Sequence, residues 1–423
     1  MIQKEIYGAI EFIDHEVRFV LGEFHNNQLN ILKTESLYTN AIEKISIVDM
    51  KMLVDNVKSI IDKVSSQMGF KINKVILLIP SYNLKRYSKR IKMLNNKKEK
   101  FSIEEVKETV NKSLNLELSS DEVLINKVIN RYTVDGIKQS KLKLDKDISE
   151  LFIDVDIYTG DKNLIFDYLS VIELAGLQVL DIYSDSYALA KEMALLNDSR
   201  DKNIIVLKYE RCNLTMSFLN KGRIISSVMV DVGYADLVSK IQQSNNISEK
   251  NAEKLILTNN FLAIADKQKA PVFIYSEGSE TKSIDDNYLN NLLLPILSQQ
   301  FTRISEMIKP IVKENSTQIY ITGKGASIVA LSDVCQNILQ CKTKVYIPEI
   351  LGARKGSLVT CLGGIYAYKD TSIFSDKKEN SVDVEEFVNE VKIKEEEKKK
   401  IESHSEDSMA NRFKELFKLS KDN

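Results

Sequence analysis

Short apolar runs separated by polar turns open the chain, and apolar positions then recur every three to four residues. Residues 7–12, 17–23 and 29–34 read as three strands, the last two joined by the turn His25-Asn26-Asn27-Gln28. A helical face follows in Leu53, Val57, Ile60, Ile61, Val64 and Met68, with Gly69 placed to end it. Residues 75–79 are apolar throughout, as expected of a strand covered on both faces. Beyond Tyr82 the character changes. Lys85, Arg86, Lys89, Arg90 and Lys92 form a basic edge, and Ser102-x-x-Glu105 is a capping box opening a short helix. Strands are expected around 122–132 and 150–158, with a turn at Asp135-Gly136. The main pattern resumes with a helix ending at Gly176, a strand at 179–183 and a helix from Ser184.

A second three-stranded meander is expected at 203–207, 214–219 and 223–230, about 200 residues after the first. Two halves that each open with a meander and continue as helix and buried strand predict a duplicated α/β fold with a ligand-binding cleft between them. Further on, a helix is expected at 248–261, a strand at 271–275, and a long helical stretch over 285–314 broken near Pro295 and Pro310. Residues 318–322 read as a buried strand running into the turn Gly323-Lys324-Gly325-Ala326, and segments 344–348 and 357–368 complete the globular part. The predicted parts are a first half of 1–83 and 159–200, a small α+β insert of 84–158, a second half of 201–236 and 313–372, and a small domain of 237–312. They end in a charged linker of 373–407 and an amphipathic helix of 408–421.

The linker contains the charge run Glu395-Glu396-Glu397-Lys398-Lys399-Lys400 and is expected to be a solvated tether. In the last segment Met409, Phe413, Leu416, Phe417 and Leu419 share one side of a helix, with Arg412 at the border and Lys414, Glu415, Lys418 and Lys421 opposite. Such a helix is too short to cross a bilayer, and suits an interface of anionic lipid held by its apolar face and basic residues. Docking on its own protein or on a partner is the other reading of the same pattern.

The whole chain of 423 residues carries a formal net charge of −1, so it has no global basic field that would point to nucleic acid. The N-terminal residues show no apolar signal region, and the four cysteines lack metal-like spacing and are expected as reduced thiols in a cytoplasmic protein. Three histidines leave little for a His-centred catalytic or metal site.

The order of two meanders, insert, tether and terminal helix resembles the FtsA family of bacterial cell-division proteins. These are actin-like ATP-binding proteins that anchor FtsZ filaments to the inner membrane. Local stretches carry the resemblance: Arg18-Phe19-Val20-Leu21-Gly22-Glu23, Tyr132-Thr133-Val134-Asp135-Gly136, Ala175-Gly176-Leu177, Val230-Asp231-Val232-Gly233, Asn251-Ala252-Glu253 and Ile321-Thr322-Gly323-x-Gly325-Ala326. The resemblance implies an actin-like duplicated fold and a nucleotide cleft at Glu11, Asp14, Lys208, Arg211, Gly233, Glu253, Gly323 and Gly325.

That cleft departs from the family's pattern. Phosphate-binding hairpins need glycine so that backbone N–H groups approach the phosphates, and carboxylates to hold Mg²⁺. Where the family has Asp-Ile-Gly-Thr-Ser-Lys, this chain has Glu11-Phe12-Ile13-Asp14-His15-Glu16. The second turn, an acid followed by a glycine run in the family, reads Lys208-Tyr209-Glu210-Arg211-Cys212-Asn213. Ile256 stands at the family's adenosine-side lysine and Lys324 at a glycine. ATP·Mg²⁺ binding is therefore expected to be weak or lost, with no ATPase activity and no metal site. Glu11, Lys208, Glu210 and Arg211 then close the cleft with salt bridges, although Lys208 and Arg211 are also able to hold phosphate oxygens.

The resemblance implies three partners: the FtsZ C-terminal peptide beside the helix at 292–312, where Gln300, Arg303 and Lys309 are the candidate contacts; further copies of the chain in an actin-like polymer; and anionic membrane lipid. The expected location is the cytoplasmic face of the membrane at the division site. The alternatives are a PilM-like platform of a pilus or secretion system, an active actin-like ATPase, and a bare scaffold.

Overall fold

The computed structural model describes residues 4–95, 101–112, 117–139, 142–143, 147–262, 271–277, 280–312, 317–371, 379–383 and 385–388. The first meander is β1 (Glu5–Ile13), β2 (Glu16–His25) and β3 (Gln28–Tyr38). A small ladder of β4 (Ile42–Glu43) and β5 (Ser46–Ile47) leads to α1 (Met50–Met68). The α1 helix starts at Asp49, whose side chain accepts from the Met52 N–H, and stops at Gly69 with φ 83°, a conformation that other residues adopt only under strain. Its buried stripe of Leu53, Val54, Val57, Ile60, Ile61 and Val64 follows the period of 3.6. Next comes β6 (Lys74–Ile79), parallel to β1 and buried from Val75 onward because helices lie on both faces of the sheet.

The insert consists of β7 (Lys85–Leu94), α2 (Ile103–Lys112), β8 (Glu122–Val134), β9 (Ile137–Gln139) and β10 (Glu150–Asp161), with sheet order β7-β10-β8-β9. At the start of α2 the capping box closes reciprocally: Ser102 N–H donates to Glu105 at 3.0 Å and Glu105 N–H to the Ser102 hydroxyl at 3.1 Å. The basic residues of β7 line a sheet edge and meet acids: Arg86 with Asp156, Arg90 with Asp154 and Lys92 with Glu150. Such an edge is solvated and resists further strand pairing.

The chain then returns through α3 (Lys162–Leu174) to β11 (Gln178–Ser184), giving the order β11-β6-β1-β2-β3, and continues as α4 (Asp185–Glu192) and α5 (Leu195–Asp198). The second half repeats the plan. A meander of β12 (Asn203–Tyr209), β13 (Leu214–Asn220) and β14 (Arg223–Val230) precedes α6 (Ala235–Asn245) and α7 (Glu249–Thr258). The hairpin β15 (Pro271–Glu277) and β16 (Glu280–Asp285), then α8 (Asp286–Ile308), follow. The sheet is completed by β17 (Thr317–Thr322) and, after α9 (Leu331–Leu339), β18 (Lys342–Val345), giving the order β14-β13-β12-β17-β18. In both sheets a meander is extended by two parallel strands, β6 and β11 in the first and β17 and β18 in the second. The α/β duplication expected from the two meanders is thus present.

Three features differ from the expectation. α8 runs unbroken through Pro295. Both Pro295 and Asn291, whose carbonyl loses its helical donor, face solvent, so water replaces the missing bond. The last helix, α10 (Val359–Thr371), was expected in the second half but packs on α4, β1 and β6 of the first. Its Leu362 and Ile365 are buried in that core, which they share with Leu77 and Leu78.

The third difference lies within the expected tether, where Ser381, Val382 and Phe387 are buried against the first half. The β1–β6 ladder begins only at Ala9 and Ile76, so backbone groups at the earlier ends of both strands need other partners. Ser381 supplies them. Its N–H donates to Ile6 O at 2.8 Å, its carbonyl accepts from Asn73 and Lys74, and its hydroxyl accepts from Gly8 N–H at 2.7 Å. Asn380 accepts from Ile6 N–H, and Phe387 is buried edge-on against Phe70. The helix expected at 408–421 and its residues Met409, Arg412, Phe413, Leu416, Phe417, Lys418 and Leu419 lie outside the described residues.

Candidate functional site: an ion-paired cleft

The two meanders place their first hairpin turns facing each other. The β1–β2 turn is two residues long, Asp14 and His15, with His15 at φ 56°. The β12–β13 turn, residues 210–213, is closed by Glu210 N–H donating to Asn213 O. Strand alternation aims Glu11 of β1, Glu16 and Arg18 of β2 and Lys208 of β12 into the space between the halves.

Two cations cross that space in opposite directions. Arg18, with no exposed surface, reaches from the first half to the second. Its Nη1 donates to Glu210 Oε1 at 2.8 Å and its Nη2 to Glu210 Oε2 at 2.9 Å, a bidentate pair. Nη1 also donates to Ser357 O and Nη2 to Glu16, while the Nε has no acceptor among the described residues. Lys208 reaches from the second half into the first, donating to Glu11 Oε1 at 2.5 Å and Asp185 Oδ2 at 3.0 Å. Asp185 is held in turn by the Ser81 N–H and hydroxyl. Beside it a short hydroxyl chain joins the halves, from Ser186 at the start of α4 to Ser217 of β13 and Ser227 of β14.

The electrostatics follow from burial and pairing. Burial would depress the Lys208 ammonium, but Asp185, Glu11 and Glu210 outweigh it and hold the group protonated. Burial pushes the Glu16 carboxyl up, while Arg18 and Lys324 outweigh it and keep it below its ordinary value. Four carboxylates surround two cations, and the Glu11 carboxyl is pushed up by burial against the pull of Lys208 and Arg18. Burial and Asp14 push the Cys212 thiol up to about 12, which leaves it a poor nucleophile.

Of the residues expected in the cleft, Glu11 and Lys208 meet directly. Arg211 turns aside to pair with Glu249 and lies 3.9 Å from Asp14. Asp14 is spent on its own turn, accepting from Lys44 N–H and bonded to the His15 ring. Glu253 accepts from the Tyr234 hydroxyl and pairs with Lys324 at 2.9 Å. The glycines are filled by the chain itself. A Cβ on Gly233 would sit 2.0 Å from Arg211 O, and one on Gly325 would strike the Tyr209 ring at 2.4 Å. Gly323, at φ 91°, is pressed against Tyr209 O.

The backbone approaches that these glycines permit are taken by Arg211 and Tyr209, and the carboxylates of Glu11, Glu16, Asp185 and Glu210 line the space between the halves. Arg18 and Asp185 were missing from the sequence-based set, and each had a weak signal. Arg18 is a lone cation within the apolar run Val17-x-Phe19-Val20-Leu21, and Asp185 follows the cap Ser184 at the end of β11.

The partner-binding set needs one correction. Gln300 is buried, 6% exposed, on the inner face of α8. Its Oε1 accepts from the Tyr209 hydroxyl at 2.7 Å, and its Nε2 donates to Gly233 O and Asp236. With these bonds made, Gln300 braces the second turn from below and presents nothing to a partner. Arg303 and Lys309 are exposed. Gln300→Ala should cost about 1–3 kcal/mol by leaving the Tyr209 hydroxyl and Gly233 carbonyl unpaired, whereas Arg303→Ala should stay within about 0.5 kcal/mol. Denaturant melts of the two variants check this, and equal costs would contradict the placement.

No family model matches the chain. Curated proteins do. The cell division protein FtsA of Bacillus subtilis is 19% identical over 380 residues, covering 86% of this chain and 83% of that protein. FtsA of Enterococcus hirae is 22% identical over 360 residues, covering 84% and 81%. Among solved structures, a chain of the PilM-PilN type IV pilus biogenesis complex aligns with TM-score 0.56 at 12% identity, over 85% of this chain and 98% of that one. MreB5 of Spiroplasma citri bound to ADP aligns with TM-score 0.50 at 13% identity, over 87% and 97%. These structural likenesses are of fold, and the fold is actin-like. Along most of its length the sequence is similar to the cell division protein FtsA, and the fold is actin-like.

Proposed function

We propose that this protein is a cell-division adaptor that tethers FtsZ filaments to the cytoplasmic face of the membrane, and that it works without a nucleotide switch. The basic amphipathic segment at 408–421 supplies a reversible lipid anchor. Many copies, aligned by actin-like contacts, make that weak attachment firm. The exposed outer face of α8, with Arg303 and Lys309, offers positive charge to the acidic C-terminal peptide of FtsZ. Among the described residues no helix is long and apolar enough to cross a membrane.

The observation that carries this reading is an FtsA-like chain whose cleft is tied across by its own Arg18–Glu210 and Lys208–Glu11 pairs. Such a cleft supports a fixed platform and opposes an ATPase. The likeness to PilM is one of fold and does not favour a pilus platform, since the sequence similarity runs to FtsA.

The test is co-sedimentation of the full chain with anionic liposomes and its cognate FtsZ, with and without ATP and Mg²⁺, beside a variant ending at residue 407. The full chain should carry FtsZ into the pellet to the same extent with or without ATP, and the shortened chain should not. Equal pelleting by the shortened chain, or recruitment only with ATP, would overturn the proposal.

A further inference from the structure

We infer that the Lys208 ammonium is a built-in counter-ion that holds the place of a divalent cation between the Glu11 and Asp185 carboxylates, joining the two halves without metal. The inference rests on the closed-cleft reading above and concerns what closes the cleft.

Glu11 stands on β1 and Asp185 at the start of α4, two separate elements of the first half. Each aims one oxygen at the same point, where the Lys208 Nζ sits at 2.5 and 3.0 Å. Glu11, Asp185 and Lys208 all have less than 5% of their surface exposed. Two carboxylates converging in so dry a place repel each other, and the charged pair persists only with a cation between them. Both are also poised for that cation. The Asp185 Oδ1 is anchored by Ser81, which turns Oδ2 toward Lys208. The Glu11 Oε2 has no hydrogen-bond donor and lies 3.7 Å from Arg18 Nη1.

Hard divalent cations take oxygen ligands at about 2.0–2.6 Å, so the two oxygens already lie within an ångström of ligand distance from the ammonium position. The surrounding charge is in deficit, with Glu11, Glu16, Asp185 and Glu210 against Arg18 and Lys208. Lys208 fills the position with one charge carried on a side chain of the second half. The cation therefore cannot dissociate, and the tie between halves depends on neither Mg²⁺ nor a ligand that brings it. Trimming this side chain leaves a space lined by two converging carboxylates, a site for a free divalent cation.

The experiment compares the full-length wild type with Lys208→Ala, titrating Mn²⁺ and Mg²⁺ by calorimetry and recording thermal unfolding with each cation or a chelator. The wild type should bind neither cation and melt at the same temperature in chelator. Lys208→Ala should melt lower, bind Mn²⁺ with Kd tighter than about 1 mM, and recover part of its lost melting temperature when Mn²⁺ is added. Adding Glu11→Gln should abolish that binding, and Lys208→Met, which fills the space without charge, should bind no cation. If Lys208→Ala is obtained only unfolded, refolding with and without Mn²⁺ is the readout, and no gain with Mn²⁺ overturns the inference. Glu11-dependent Mn²⁺ binding by the wild type overturns it as well. A separate titration of wild type with ATP and Mg²⁺ distinguishes the two levels. Nucleotide binding defeats the closed-cleft reading, whereas its absence together with a Lys208→Ala variant blind to cations defeats only the counter-ion.

Discussion

Replacing Arg18 with alanine is expected to cost about 3–5 kcal/mol of stability, the range for removing one member of a buried ion pair. The guanidinium has no exposed surface and satisfies both oxygens of Glu210, one of Glu16 and the Ser357 carbonyl. Without it Glu210 and Glu16 face each other across a buried gap, with only the Lys324 ammonium, 4.0 Å from Glu16, to offset their charge. The deficit should depend on pH with a definite sign. In the wild type, Arg18 and Lys324 keep the Glu16 carboxyl below its ordinary value despite burial, so this carboxylate contributes stability above the usual carboxylate range and loses it as pH falls through the lowered value. In the variant only Lys324 and Ser36 oppose burial, so the same carboxyl rises relative to the wild type. The variant forgoes that stabilisation, and the gap between the two proteins should be widest at neutral pH and narrow toward acid. Urea melts at several pH values measure it. Arg18→Met combined with Glu210→Met, which removes both charges, should cost less than Arg18→Ala alone. A cost for Arg18→Ala below about 1 kcal/mol, in the range of exposed ion pairs, would show that the pair is solvated.

Gly363→Ala should be the other severe change. α10 crosses α4 so closely that a Cβ at Gly363 would lie 1.8 Å from the Ala188 carbonyl oxygen and 2.4 Å from its carbon. The obstacle is backbone, which cannot rotate out of the way, so the two helices must separate. Overpacking of this kind costs about 3 kcal/mol at the upper end of its usual range, more than the ~1 kcal/mol that alanine gains over glycine inside a helix. Gly364 is the internal control. Its added Cβ would meet the Leu78 side chain at 2.6 Å, a group able to change rotamer, so Gly364→Ala should be the milder variant. Denaturant midpoints of the pair test this, and a Gly363→Ala midpoint equal to wild type would mean that the crossing yields easily.

Much of the fold was legible in the chain because it depends on local periodicity. The apolar runs of β1 and β2, the 3.6-residue stripe of α1 ending at Gly69, and the Ser102–Glu105 capping box are short-range patterns with short-range causes. The two meanders likewise announced the duplication. The cleft was half legible. The loss of glycine from both turns and the charges of Glu11, Lys208 and Glu210 can be read directly, and they point to salt bridges in a phosphate site. Arg18 was missed and Gln300 misplaced for one reason. The sequence shows that a side chain is polar, but not whether its strand or helix face turns toward solvent or toward another polar group. Gln300 looked like a surface contact on a long helix, yet that face of α8 lies under Tyr209 and Gly233.

By itself the sequence determined the alternation of elements, the repeated plan, the insert and the departure from a phosphate-binding pattern, since each is carried by neighbouring residues and their backbone preferences. Tertiary structure alone decided which charges pair across the cleft. It also returned α10 to the first half and seated Ser381 at the open ends of β1 and β6. Those outcomes join residues far apart in the chain, Arg18 with Glu210 and Ile6 with Ser381. Their energies come from burying charge and satisfying backbone groups in a space that exists only once both halves have folded.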